Sequence, residues 1–86
     1  MHELSVAIEI CRLAEANAGA AGPAAVRVVA VEVGDDAGLE PDNLRFCLEA
    51  LLGAPPFGAA RPELTLVPGD DMRVAWLEVD DGRPDD

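Results

Sequence analysis

The chain contains no lysine and no tyrosine, and only one histidine, one tryptophan, two phenylalanines and two cysteines in 86 residues. Each shortage removes a class of function. Six arginines stand against 17 Asp and Glu, a formal net charge of −11, so no basic stripe exists to neutralise phosphates and a nucleic-acid partner is not expected. One histidine and two cysteines cannot fill a Cys/His zinc site, which takes four ligands, so no structural zinc is expected. The sole histidine, His2, sits at the terminus and leaves no Ser/His or Cys/His pair with a base to spare. Gly34 and Gly38 lack the lysine of a phosphate-binding loop. The chain is therefore read as a non-enzyme. Its apolar runs fall well short of the ~20 residues that cross a bilayer, so no membrane partner is expected. The opening MHELSVAIEICRLAE has no basic n-region and does not read as a secretion signal. With both cysteines inside helical patterns, a cytoplasmic, reducing compartment is expected.

Half the residues are hydrophobic, enough for one small folded domain spanning 1–86. Because aromatics are reduced to Phe46, Phe57 and Trp76, the core must be built from Leu, Val, Ile and Ala. Residues 4–17 carry apolar positions at helical spacing: Leu4, Ala7/Ile8, Cys11 and Ala14, flanked by Val6, Ile10 and Leu13. Ser5, Glu9 and Arg12 form the polar stripe, with Glu9 and Arg12 one helical turn apart. A small-residue turn, 18–23, ends that helix. The β-branched run 25–33 reads as a strand covered on both faces, Val29, Val31 and Val33 on one side and Val26, Val28 and Ala30 on the other. Gly34 to Gly38 is a turn, and its adjacent Asp35 and Asp36 read as solvated rather than as a calcium site.

Pro41 then opens a second helix, with Glu40 and Asp42 at the positive end of its dipole. Leu44, Cys47/Leu48 and Leu51 form its stripe, with Phe46 and Leu52 beside it; Gly53 and Pro55-Pro56 stop it. Cys11 and Cys47 read as core residues, and nothing requires them to be bridged. Residues 63–67 and 72–79 read as strands, with Met72, Val74 and Trp76 alternating against Arg73, Ala75 and Leu77. Residues 80–86 form an acidic tail. The fold class is α+β in the order α-β-α-β-β: a three-stranded sheet with two helices on one face. The helix between the first two strands permits a crossover pairing. The short Pro68-Gly69-Asp70-Asp71 turn predicts an antiparallel hairpin of the last two strands, burying Leu64, Leu66, Val74 and Trp76 together. The uncovered face leaves room for a partner or a homo-oligomer.

The first five residues, Met1-His2-Glu3-Leu4-Ser5, place the only imidazole one residue from a terminal amine. That amine, the amide nitrogens after it and the imidazole can close fused chelate rings around one ion. An all-nitrogen set of this kind suits square-planar Ni(II) or Cu(II) rather than calcium, magnesium or zinc. The bland alternative is an exposed histidine ahead of a helix.

Taken in order, these segments are similar to the HypA/HybF hydrogenase-maturation nickel metallochaperones. That family begins Met-His-Glu and carries a strand-to-helix segment matched here by Val31, Val33, Gly34, Gly38, Leu39, Pro41, Leu44 and Phe46. The stretches 69–74 and 77–79 also resemble its final strand. The resemblance implies Ni(II) bound through Met1, His2 and Glu3, with His2 the essential donor. It implies delivery to the [NiFe] hydrogenase large subunit, or to urease, together with a GTP-hydrolysing nickel partner. One departure is large: the family inserts a zinc domain with two Cys-x-x-Cys pairs between its last two strands, where this chain has only residues 68–71. Two functions stay open: a nickel-carrying accessory protein of hydrogenase maturation, or a docking subunit that keeps the fold without delivering metal.

Overall fold

The computed structural model describes residues 2–80. Its elements are α1 (Glu3–Ala16), β1 (Val26–Gly34), α2 (Pro41–Leu52), β2 (Arg61–Val67) and β3 (Met72–Val79), with a short 3-10 turn at Pro23–Ala25 leading into β1. They form one mixed three-stranded sheet in the order β2-β1-β3, and both helices pack against one face. The α+β architecture and element order are those anticipated from the sequence.

The hairpin is not. β1 lies between β2 and β3: it pairs parallel with β2, Val31 opposite Leu64, and antiparallel with β3, Val31 opposite Val74. The reason is burial. β1 is the most apolar strand, with Val26, Val28, Val29, Ala30, Val31 and Val33 all buried, and only the central position shields both of its faces and both of its edges. The parallel β1–β2 pair uses α2 as its crossover, as parallel neighbours require.

Two register shifts between β1 and β3 redirect side chains. The first, at Arg27, lets Val26 join Val29, Val31 and Val33 against the helices, leaving Val28 and Ala30 outside that cluster. The second leaves Ala75 without a β1 partner, so Met72 and Val74 before it, and Leu77 and Val79 after it, all pack toward the core. Trp76 goes to the outer face at 49% exposure. A bulge inserts one residue into the alternation and reverses its phase, which is why strict alternation placed Trp76 with Val74. Leu66, also expected inside, is exposed near the end of β2.

The helices bury narrow faces. On α1 the buried positions are Glu3, Ala7, Ile10 and Ala14, so Leu4 and Ile8 are turned to solvent. Glu9 and Arg12 form the anticipated pair at 2.9 Å. On α2 they are Leu44, Leu48 and Leu52. Each of these leucines, fully buried, contributes about 1.5–3 kcal/mol. Phe46 falls on the opposite side of α2 and is 69% exposed. The chain fills the core from a loop instead, where Phe57 folds in beside Ala60.

The link from β2 to β3 steps over the C-terminal end of β1. Two strand spacings are roughly 10 Å, within reach of four residues at up to about 3.5 Å each. Residues 68–71 are tied to β1 by the Gly34 amide donating to the Asp71 carbonyl at 2.7 Å and the Asp36 amide donating to the Gly69 carbonyl at 2.8 Å. The Gly69 amide donates to Asp35 Oδ1 at 3.2 Å, so Asp35 holds the bridge rather than being simply solvated. A Cβ on Gly34 would collide with the backbone of Gly69 and lie 2.8 Å from the Asp71 carbonyl oxygen. Gly34→Ala is therefore expected to destabilise the fold by about 1–3 kcal/mol through overpacking. Thermal denaturation checks this, with Gly19→Ala failing as a mimic, since Gly19 has open space around it and suffers only from its positive φ of 82°.

Candidate metal-binding terminus

Helix α1 begins with His2 as its N-cap, at φ −92° and ψ −5°, and the His2 side chain makes no capping hydrogen bond. The first hydrogen bond of the helix runs from the Val6 amide to the His2 carbonyl at 2.9 Å. Helical pairing therefore leaves the amide nitrogens of His2 and Glu3 unconsumed, as at any helix start. The imidazole is exposed. Met1 lies outside the described residues.

Glu3 is placed quite differently. It is 4% exposed, the one charged residue among the described residues that is buried. Its Oε2 accepts from the Glu40 amide at 3.1 Å, and its Oε1 accepts from Asn43 Nδ2 at 3.0 Å. Both donors stand at the start of α2, where Glu40 caps the helix by accepting from the Asn43 amide at 3.1 Å. A carboxylate at this end meets the positive pole of the helix dipole and its free amides. The Glu40 amide, followed by the other donors, holds the Glu3 carboxyl down from 4.5 to about 2. The carboxylate fastens the first turn of α1 to the first turn of α2 and sets where His2 emerges.

Sequence reading named His2, Glu3 and Met1 together but missed Glu40 and Asn43. A cap at Glu40 was legible from Pro41 and Asp42. The contact across 37 and 40 positions of chain depends on how the two helices are packed, and no local pattern encodes that.

Other possible ligands are dispersed. Among the described residues, no three or more His, Cys, Asp or Glu side chains are arranged to hold a metal ion. Cys11 and Cys47 are free and half-buried, and burial pushes the Cys11 thiol up, away from the thiolate that binds metal.

A family model described as "Hydrogenase/urease nickel incorporation, metallochaperone, hypA" matches residues 1–70. The chain belongs to the HypA family. The hydrogenase maturation factor HypA of Azotobacter vinelandii is 39% identical over 69 residues, covering 80% of this chain and 61% of that protein. The HypA of Dechloromonas aromatica is 33% identical over 69 residues, with the same shares. That of Streptomyces avermitilis is 48% identical over 50 residues, 57% of this chain and 38% of its own. The chain thus spans about three-fifths of the length of the Azotobacter and Dechloromonas HypA proteins. The family match ends at residue 70, inside the bridge that crosses the end of β1. No helix among the described residues is long and apolar enough to cross a membrane.

The position of Glu3 in this HypA-family chain gives a pH dependence. Its folded pKa is depressed, so the unfolded chain binds the proton more readily and the stabilisation is fully present above about 4.5. It is lost as pH falls from there toward about 2. Glu3→Gln is expected to melt well below the wild type at pH 7, with the gap closing as the pH falls through that window. Circular-dichroism melts of both proteins across pH 2–7 measure it; a constant gap would show that the charge of Glu3 is not what fastens the helices.

Proposed function

We propose that the chain is a nickel carrier of [NiFe] hydrogenase maturation that holds Ni(II) at its amino terminus. In this reading the Met1 amine, the amide nitrogens of His2 and Glu3, and the His2 imidazole form the nitrogen set, which suits square-planar d-block ions. The Glu3 carboxylate stays on α2 and acts as the anchor from which the metal-bearing residues project. The observation that carries the reading is the pairing of an exposed, uncapped His2 with a pinned Glu3 in a chain of the HypA family. The Glu3 carboxylate, held by two hydrogen bonds from the start of α2, supplies the site with its base. The recipient is the hydrogenase large subunit, with urease as the other enzyme the family description names, and a nickel GTPase is the working partner. Delivery between such proteins belongs in the cytoplasm.

The domain limits are part of the same proposal. Residues 1–86 form one nickel-binding domain in which the bridge 68–71 takes the place of the family's zinc insert. That replacement favours the second reading, a docking subunit of the maturation complex that carries no metal, because it removes a module while keeping the fold.

Calorimetry with untagged protein separates the two. The carrier reading expects one Ni(II) per chain, loss of stoichiometric binding in His2→Ala, and weaker binding when extra residues precede Met1. It also expects proton release, since coordinating amide nitrogens must lose their protons. If His2→Ala binds nickel as the wild type does, or supports full hydrogenase maturation in cells, the carrier reading fails and the docking subunit stands. Elemental analysis of the same protein is expected to find no stoichiometric zinc, because four Cys/His ligands are not available within one chain. One tightly held zinc per chain would refute this.

A further inference from the structure

The two edges of the sheet are not alike. β2 carries Pro62, which has no amide to donate, a usual safeguard against pairing with a further strand. β3 carries no proline over its eight residues, and among the described residues its outer edge pairs with no strand. Alongside that edge runs an open cavity of about 620 Å³, walled by Leu13 and Asn17 of α1 and by consecutive residues of β3 from Met72 to Leu77. Consecutive strand residues point to opposite faces. They can line one cavity together only where it follows the strand's edge. Leu13 and Trp76, both exposed, stand on its walls, and Val74 and Leu77 are only half-buried there.

The charge along the edge is mostly acidic, although Asp80 is itself paired with Arg27 of β1 at 3.1 Å. Asp70 and Asp71 precede β3, and Glu78 and Asp80 close it. The only cation between them, Arg73, is held by Glu32 on β1 at 2.7 Å. A second copy of the chain would bring the same acidic edge and another net −11, which opposes pairing of like with like.

We infer that the β3 edge is a docking site for an extended, arginine- or lysine-rich segment of a partner protein, which adds as a fourth strand. The partner's main chain pairs with the free N–H and C=O groups of β3. Its apolar residues enter the cavity between Leu13 and β3, and its alternate basic residues lie beside Glu78 and Trp76 on the outer face, the division of labour usual in strand addition. This inference does not rest on the nickel reading, because no residue at the terminus takes part.

The only tryptophan of the chain stands on this edge, so its fluorescence reports occupancy directly. The probe is an eight-residue peptide of alternating valine and arginine, compared with its valine–glutamate counterpart. The arginine peptide is expected to shift Trp76 emission to shorter wavelength and to slow hydrogen exchange of β3 amides. Its affinity should weaken with salt and fall about tenfold in Glu78→Arg, equal to about 1.4 kcal/mol. Leu13→Glu should also weaken it, with a melting midpoint measured alongside to show that the variant is folded, and His2→Ala should leave it unchanged. Equal binding of both peptides, or binding of the arginine peptide without protection of β3, overturns the inference. So does protection of β3 that appears with rising protein concentration and no peptide, since the occupant is then a second copy.

Discussion

The β1 strand hydrogen-bonds along both edges and is buried on both faces, and the placement of every other element follows from that. A strand so rich in valine exposes too much apolar surface at a sheet edge, so β2 and β3 are drawn to either side of it. With β2 parallel and β3 antiparallel to β1, the end of β2 and the start of β3 both arrive at the C-terminal end of β1. The helices then have one face to cover, and the small residues Ala7 and Ala14 of α1 let it pack closely there.

Within that frame the Glu3 carboxylate has a consequence larger than its size. Burying a charge is costly unless hydrogen bonds replace the lost water. Here donors at the start of α2 supply them, and the helix dipole adds to the stabilisation. The same contact fixes the direction in which the chain leaves α1 toward its amino terminus. A residue that a metal-site reading takes for a ligand is, in its side chain, the foundation of the terminus.

Sequence periodicity located the five elements almost to the residue: Pro41 and Gly53 bound α2 as their capping chemistry demands, and Met72–Val79 is the third strand as read. What periodicity misjudged was phase and partner. The bulges at Arg27 and Ala75 reversed the alternation of β1 and β3, and a bulge leaves no mark in a run of small and branched residues. The short turn suggested a hairpin because a four-residue link usually joins neighbours; nothing local to residues 68–71 says that β1 has taken the place between them. Phe46 was legible as a helical residue but not as an exposed one, since the face that α2 buries is set by three leucines packing against β1. At the terminus, His2 was visible from composition alone, being the only histidine. The pairing of Glu3 with Asn43 was invisible for the opposite reason, that it joins residues 40 apart.

The direct link from β2 to β3 depends on whether two fixed strand ends can be joined. Their separation is set by β1, about two strand spacings, whatever lies between them in sequence. A four-residue bridge meets that distance and also accepts from the Gly34 and Asp36 amides at the end of β1, while its Gly69 amide donates to the Asp35 carboxylate. The cost is conformational: Gly69 takes a φ of 118°, and Gly34 must remain without a side chain. No core residue in the helix-facing cluster belongs to the bridge, so the hydrophobic burial that holds the domain together is independent of it. The same separation holds for His2, which is exposed and makes no contribution to the core. The apolar core is thus separate from both, while the bridge and the terminus are each tied to the fold by a few polar contacts, through Gly34 and Asp35 in one case and through Glu3 in the other.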